Sequence, residues 1–444
     1  MGRASLTGAL PGIPTLTYKD KNMSLQTKSL HAGYNPKNSD SRVVPIYQST
    51  TFVYDNPAEV ADLFDLRKFG HFYTRISNPT VDAVEQKINA LEGGVGALLT
   101  SCGQAATFTA IFTIAKNGDH IVSSSSIYGG SLALIANTLK RCGISVTFID
   151  QEAPDQEIER AFQSNTVACY AETLANPSCR VLDIERMARI AHKFHVPLII
   201  DNTFSTPFLT RPIEHGADIV VHSTSKYMDG HAITLGGAVV DSGNFDWTLG
   251  GKFPEFTAPD PAYHGLIFSQ SFGKLAYIVK ARVQVMRDIG PCTTPQAAFY
   301  LNQGLETLGL RIERHSENAY KVASFLKSHP KVELVRFAAL EDSPYYELCK
   351  KYMKGKGTGI ISFDVKGGRE AGVKLIKAFK LIALEVHISD IKSSVLHPAS
   401  SSHRQLSDEQ LEACGVTPGL IRLNVGLEDA DDIIEDLRQA LDSI

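Results

Sequence analysis

The sequence predicts an α/β fold: a mostly parallel central sheet with helices on both faces, followed by a smaller C-terminal α/β domain. From about residue 80 to 240, short apolar runs alternate with helical stretches, the signature of repeated βα units. Two of those runs, Val196 to Ile200 and Ala217 to Val221, end in polar clusters, Asp201-Asn202-Thr203 and His222-Ser223-Thr224-Ser225-Lys226. After Pro291 the rhythm changes to one long helix and then a shorter set of strands and helices.

Taken in order, a strand at Ala97-Leu98-Leu99 precedes a helix at Ala105 to Ala115, and His120-Ile121-Val122 precedes a helix at Ser131 to Arg141. Strands follow at Val146 to Ile149 and Val167 to Tyr170, with a helix at Ile184 to His192. The segment Asn244 to Gly265 breaks the alternation; rich in Gly, Pro and aromatic residues, it reads as a long ordered insertion. Helix returns near Lys274, and after Pro295 a helical pattern runs through Leu301 to Phe325. The C-terminal domain has a strand at Gly359 to Val365, a helix at Glu370 to Phe379, a strand at Leu420 to Val425 and a closing amphipathic helix. That last helix carries Ile433, Ile434, Leu437 and Leu441 on one face. The expected divisions are a tail over 1–22, with Met23 a candidate start, an N-terminal arm over 23–77, a ligand-binding domain over 78–290 and the C-terminal domain over 291–444.

A chain of 444 residues implies two or three domains, and 43% hydrophobic residues suffice for their cores. With 44 basic against 48 acidic side chains and no dense basic run, nucleic acid is not an expected partner. No apolar stretch approaches the roughly 18 to 20 residues that span a bilayer, so no membrane association is expected. The 7 cysteines form no C-x-x-C pair and no metal-like spacing, which suggests free thiols in a reducing, cytoplasmic setting and no metal site.

In an open α/β sheet, ligands collect outside the carboxyl ends of parallel strands, so Asp201 and Lys226 are delivered to one rim. Either residue alone most often lies at a surface. Together they match the needs of pyridoxal phosphate: a carboxylate for the pyridine nitrogen, hydroxyls for the phosphate and an amine for the Schiff base. Ser101-Cys102-Gly103-Gln104 reads as a turn into a helix, whose free N–H groups and dipole favour an anion, with Gly103 permitting close approach. Tyr128, before Gly129-Gly130, sits at the same rim and offers a ring for stacking on a flat heterocycle. Arg422 faces away from Ile421 and Leu423 on its strand, and is either solvent-facing or a carboxylate clamp.

From about His31 to Ile444 the chain resembles the Cys/Met-metabolism family of pyridoxal-phosphate enzymes, the γ-family of fold type I. The resemblance rests on Tyr73-Thr74-Arg75-Ile76-Ser77-Asn78-Pro79-Thr80, Leu91-Glu92-Gly93-Gly94, Ser101-Cys102-Gly103-Gln104-Ala105, Tyr128-Gly129-Gly130, Glu172-Thr173 with Asn176-Pro177, Asp201-Asn202-Thr203, Ser223-Thr224-Ser225-Lys226 and His397-Pro398-Ala399-Ser400. It implies Lys226 as the Schiff-base lysine, Asp201 on the pyridine nitrogen, and Gly103, Gln104, Ser223 and Ser225 on the phosphate. It also implies Tyr128 stacked on the ring and active in catalysis, and Arg422, Asn176 and Ser393 at the substrate. Tyr73 and Arg75 would complete a neighbouring subunit's phosphate site, in a homotetramer of active dimers.

Within the family, the insertion with Phe253-Pro254-Glu255-Phe256 and Tyr263-His264-Gly265, and the segment Ile388-Ser389-Asp390-Ile391-Lys392-Ser393, resemble the O-acetylhomoserine sulfhydrylases. Cystathionine-handling members typically carry Glu in place of Lys392, and methionine γ-lyases typically carry Cys in place of Gly130. His387 and Ser389 depart from the family's usual Ser or Asn and usual Gly. The implied reaction replaces acetate by sulfide on O-acetyl-L-homoserine to give L-homocysteine. The alternatives are cystathionine γ-synthase, O-succinylhomoserine sulfhydrylase or γ-lyase chemistry. A Lys392 ammonium near the pocket would favour an incoming hydrosulfide anion by about 1 kcal/mol. No G-x-G-x-x-G follows the first strand, which disfavours a dinucleotide site.

Overall fold

The structure, a computed structural model, describes residues 23–401, 404, 407, 411 and 415–444; the tail expected over 1–22 lies outside them. The alternating apolar runs form β1 (Gly96–Thr100), β2 (His120–Ser124), β3 (Ser145–Ile149), β4 (Thr166–Glu172), β5 (Leu198–Asp201), β6 (Ile219–His222) and β7 (Gly237–Asp241). They make one seven-stranded sheet in the order β1-β7-β6-β5-β4-β2-β3. The pairs β2–β3, β2–β4, β4–β5 and β5–β6 are parallel, as expected. β7 was not foreseen; it inserts antiparallel between β1 and β6.

Successive residues on these strands feed opposite faces. Leu99, Val122 and Ile200 enter one buried cluster, and Leu98, Ile121 and Ile199 the other. This two-sided burial explains why the strands read as unbroken apolar runs. Helices cover both faces. Asn78 starts the helix Pro79–Glu92 by accepting the Thr80 N–H at Oδ1, with Pro79 at the first turn, and Gly93 ends it at φ 82°. The insertion is ordered because its aromatics pack on one another and on the helix that follows: Trp247 stacks on Phe256 at 4.5 Å and on Tyr277 of the helix Ala276–Lys280 at 5.3 Å.

The helix Pro295–Ser328 precedes a second sheet, β10-β11-β12-β9-β8, of β8 (Val332–Arg336), β9 (Ile360–Val365), β10 (Ala383–Leu384), β11 (Ser394–Leu396) and β12 (Leu420–Asn424). The sequence showed β9 and β12, both buried along their length. It did not show β10 and β11, which at two and three residues are too short to display a period. Phe363 and Ile421 of this sheet join the same buried cluster as Ile200 and Val220.

Candidate active site

Adjacent parallel strands β4 and β5 end side by side, so that Glu172 is in register with Asp201. Past these ends lies a cavity of about 210 Å³. Nine of the residues singled out in the sequence line it: Gly103, Gln104, Tyr128, Asn176, Asp201, Ser223, Ser225, Lys226 and Arg422.

Asp201 forms one wall. Its Oδ1 accepts the Thr203 N–H at 2.9 Å, and its Oδ2 lies 3.5 Å from the Tyr170 hydroxyl. Burial is the main cause that raises its pKa. Glu172 accepts the backbone N–H groups of Tyr128 at 2.7 Å and Asn176 at 3.3 Å. Burial, and then the charge of Asp201, push the Glu172 carboxyl well above its ordinary range. Like charges this close cannot both ionise cheaply, which adds to the upward push of burial on the Glu172 carboxyl.

A further layer behind the rim fixes both strand ends. His222 Nε2 is 2.6 Å from Glu92 Oε1, and Asn202 Nδ2 donates to the same oxygen at 2.9 Å. Asn202 and His222 immediately neighbour Asp201 and Ser223, so one buried carboxylate at a helix end registers both walls. The sequence motif containing Glu92 was visible, but its tie to β5 and β6 requires the fold. The same holds for Glu172, although an apolar strand ending in a carboxylate, as at Asp201, was a readable signal.

The opposite end is an anion cradle. The helix Gly103–Phe112 begins at Cys102 with no side-chain cap, leaving its first N–H groups free. A Cβ on Gly103 would lie 2.6 Å from the Cβ of Ser223, so only glycine permits this approach. Gln104 Oε1 is buried without a hydrogen-bond partner. Ser225 Oγ bridges the carbonyl and N–H of Gly236. A Cβ on Gly130 would come within 2.3 Å of Gln104 Nε2 and 2.4 Å of the Tyr128 ring, so a cysteine there would require both to move.

Lys226 and Arg422 supply the cationic side. Burial first, then the charge of Arg422, brings the Lys226 amine down to about 8. Arg422 is 8% exposed, donates to Asn176 Oδ1 at 3.3 Å and to the Val386 carbonyl at 3.1 Å, and has no ion pair among the described residues. Burial lowers its pKa to about 10. A desolvated guanidinium without a carboxylate is unfavourable by about several kcal/mol, which marks a site for an incoming anion.

The donor set fits pyridoxal phosphate. The Asp201 carboxylate suits a protonated ring nitrogen, the uncapped helix start with its glycine contact suits a phosphate, and the Lys226 amine lines the same cavity.

Several of the singled-out residues do not line the cavity, among them Ser393, Tyr73, Arg75, Lys392 and Tyr263. Ser393 donates its hydroxyl to Glu428 Oε2 at 3.0 Å and accepts the Gly426 N–H at 2.9 Å, so it braces the loop instead. Tyr73 is half-exposed with the Arg75 guanidinium over its ring, and Arg75 also donates to the Arg287 carbonyl. Lys392 is exposed, because Asn424 Nδ2 takes the carbonyls of Asp390 and Lys392 and turns the backbone toward β12. Its proposed pull on hydrosulfide therefore has no basis at the cavity wall. Tyr263 is committed elsewhere too, donating its hydroxyl to the Val283 carbonyl. Ser389 adopts φ 68°, the left-handed region, which accounts for the family's usual glycine at this position.

The profile of the family described as Cys/Met metabolism PLP-dependent enzyme matches residues 26–442. An O-acetyl-L-homoserine sulfhydrylase of Leptospira meyeri is 46% identical, the match covering 96% of this chain and 98% of the relative. A homocysteine synthase of Schizosaccharomyces pombe is 45% identical, covering 94% and 98%. Among solved structures, a Campylobacter jejuni chain assigned as an O-acetylhomoserine (thiol)-lyase superposes with a TM-score of 0.91 at 39% identity, covering 95% of this chain and 100% of that one. It carries N'-pyridoxyl-lysine-5'-monophosphate.

Proposed function

The chain belongs to the Cys/Met-metabolism family of pyridoxal-phosphate-dependent enzymes, and from that membership we propose that it converts O-acetyl-L-homoserine and sulfide to L-homocysteine and acetate. The observation that carries the reading is the single cavity in which the Lys226 amine, the Asp201 carboxylate, the uncapped start at Gly103 and the unpaired Arg422 converge.

Bound pyridoxal phosphate supplies an electron sink for charge developing at the substrate Cα. Asp201 holds the proton on the pyridine nitrogen. The N–H groups at Gly103 and Gln104, with the Ser223 and Ser225 hydroxyls, bind the phosphate. The Tyr128 ring stacks on the heterocycle, its backbone held by Glu172. Arg422 and Asn176 clamp the substrate α-carboxylate and thereby aim the Cα–H bond at Lys226. Lys226 Nζ, deprotonated at modest cost because it is buried beside Arg422, takes the α-proton and passes protons onward. Acetate leaves Cγ with its bonding pair, hydrosulfide forms the new C–S bond, and Tyr128 assists departure.

The arm 23–77 is read as reaching a neighbouring subunit, the segment 78–290 as holding the cofactor and 291–444 as completing the substrate pocket. The arm leaves Val43, Ile46, Tyr47, Val53, Phe64 and Tyr73 exposed, an apolar surface that a partner would cover. This supports a homotetramer of active dimers in which Tyr73 and Arg75 serve the partner's phosphate site. A cytoplasmic setting accords with the six described cysteines, all free. Among the described residues no helix is long and apolar enough to cross a membrane.

The test is a substrate-pair assay of the purified protein. O-acetyl-L-homoserine with sulfide should yield homocysteine faster than the succinyl ester does. It should also outpace cystathionine formation from cysteine; the reverse order would assign a sister activity.

A further inference from the structure

The contact that belongs to this chain's own sequence is between Lys226 and His387. His387 Nδ1 lies 3.1 Å from Lys226 Nζ. The ring is held in place by its chain neighbours: the Val386 carbonyl accepts from Arg422, and the Ser389 N–H donates to Asn424 Oδ1 at 2.9 Å, tying both sides of residue 387 to β12. Val386 and Ile388 line the cavity with Lys226. When Lys226 is the ammonium it can only donate, so Nδ1 of the neutral ring accepts and the ring proton then resides on Nε2. Nε2 is buried with no hydrogen-bond partner among the described residues, so no competing protein contact draws the ring away from the amine.

We infer that His387 is a positioning residue for Lys226: its Nδ1 holds the free amine at the Arg422 end of the cavity while the lysine is not bonded to the cofactor. The base of the reaction must leave the cofactor and still remain within reach of the substrate's Cα, and a flexible four-carbon side chain does not do so unaided. A hydrogen-bond acceptor on the loop that also faces Arg422 restricts it to the side where the α-carboxylate is clamped. The charges acting on the pair are Arg422 and Glu385 on Lys226, and Lys226, Asp390, Glu385 and Asp229 on His387. Burial and the lysine's charge keep the imidazole neutral, as an acceptor must be.

The inference rests on Lys226 as the cofactor lysine, which borohydride reduction and peptide mapping of the holoenzyme check separately. A label on another lysine would overturn both. With the label on Lys226, the test uses full-length holoenzyme saturated with glycine, an amino acid without a leaving group whose amine displaces the lysine from the cofactor. Acetic anhydride labelling of Lys226 is then followed against pH by peptide mass spectrometry in the wild type, His387→Ala and His387→Asn. An acceptor stabilises the ammonium form, so removing it should lower the labelling midpoint in His387→Ala by about one pH unit. The carbonyl oxygen of His387→Asn should restore most of that shift, and the acidic limb of the kcat profile should move in parallel. Equal midpoints in all three proteins would overturn the inference. So would equal displacement in both variants, which would mean packing rather than the hydrogen bond. Should His387→Ala not fold, His387→Leu, which keeps bulk without an acceptor, takes its place against His387→Asn and the wild type.

Discussion

Asp201 and Glu172 are chemically alike and adjacent, yet the site uses them oppositely. Both line the cavity, but Glu172 accepts two backbone N–H groups from the loops that carry Tyr128 and Asn176, whereas Asp201 accepts one, that of Thr203, and meets the Tyr170 hydroxyl with its other oxygen. Asp201→Asn should keep the fold and bind cofactor, but lower kcat about 100- to 1,000-fold, the scale of losing one fixed electrostatic partner. A loaded variant that retains most of its rate would remove Asp201 from the ring nitrogen. Arg422→Lys should raise KM for O-acetyl-L-homoserine about tenfold or more while leaving the cofactor's absorbance unchanged, because an ammonium cannot reproduce a bidentate grip. The pH dependence follows from Lys226. As a base it must be neutral, and its pKa is lowered to about 8, so kcat should rise with pH and flatten above about 8. Burial is the larger cause and Arg422 the second, so Arg422→Gln should shift that limb to higher pH without restoring an ordinary lysine. A profile flat from pH 6 to 9 would exclude Lys226 deprotonation from the slow step.

At the scale of elements, the decisive feature is how closely the start of the helix Gly103–Phe112 approaches the end of β6. The helix has no side-chain cap, a loss of about 1 kcal/mol relative to Ser or Asp at that position, and in exchange its N–H groups stay open to an anion. Gly103→Ala would place a methyl 2.6 Å from the Ser223 Cβ and force the two elements apart. The expected outcome is a cofactor affinity at least about tenfold weaker, measured by titrating the cofactor-free variant, with little change in thermal stability, since the strain falls at the rim and not in the core. An unaltered affinity would move the phosphate elsewhere.

For the whole molecule, the question is which chain completes which site. Tyr73 and Arg75 do not line the cavity of their own chain, and the arm that carries them exposes apolar side chains. Arg75→Ala and Lys226→Ala should each be inactive alone, and mixing them should restore activity in hybrid oligomers that contain one intact site. No recovery, with hybrids proven by mass, would confine both residues to their own chain.

Much of this was legible in the residues. Strands buried on both faces read as apolar runs, and their polar ends announced Asp201 and Lys226, because in a parallel sheet the chain itself carries successive strand ends to one rim. The turn before the helix, the rim tyrosine and the strand arginine, read together with the family motifs, added Gly103, Gln104, Tyr128 and Arg422, all of which line one cavity. What sequence order cannot express is which separated groups meet. The pairing of Glu172 with Asp201, the anchoring of Asn202 and His222 on Glu92, and the 3.1 Å contact of His387 with Lys226 arise across 29, 110, 130 and 161 positions of chain. The same limit explains Ser393 and Lys392, neighbours in a motif whose side chains were drawn away by Glu428 and by the turn that Asn424 imposes. Residue types and their periods determine which elements form and which chemistry they bear; long-range packing alone decides where each side chain of a loop finally points.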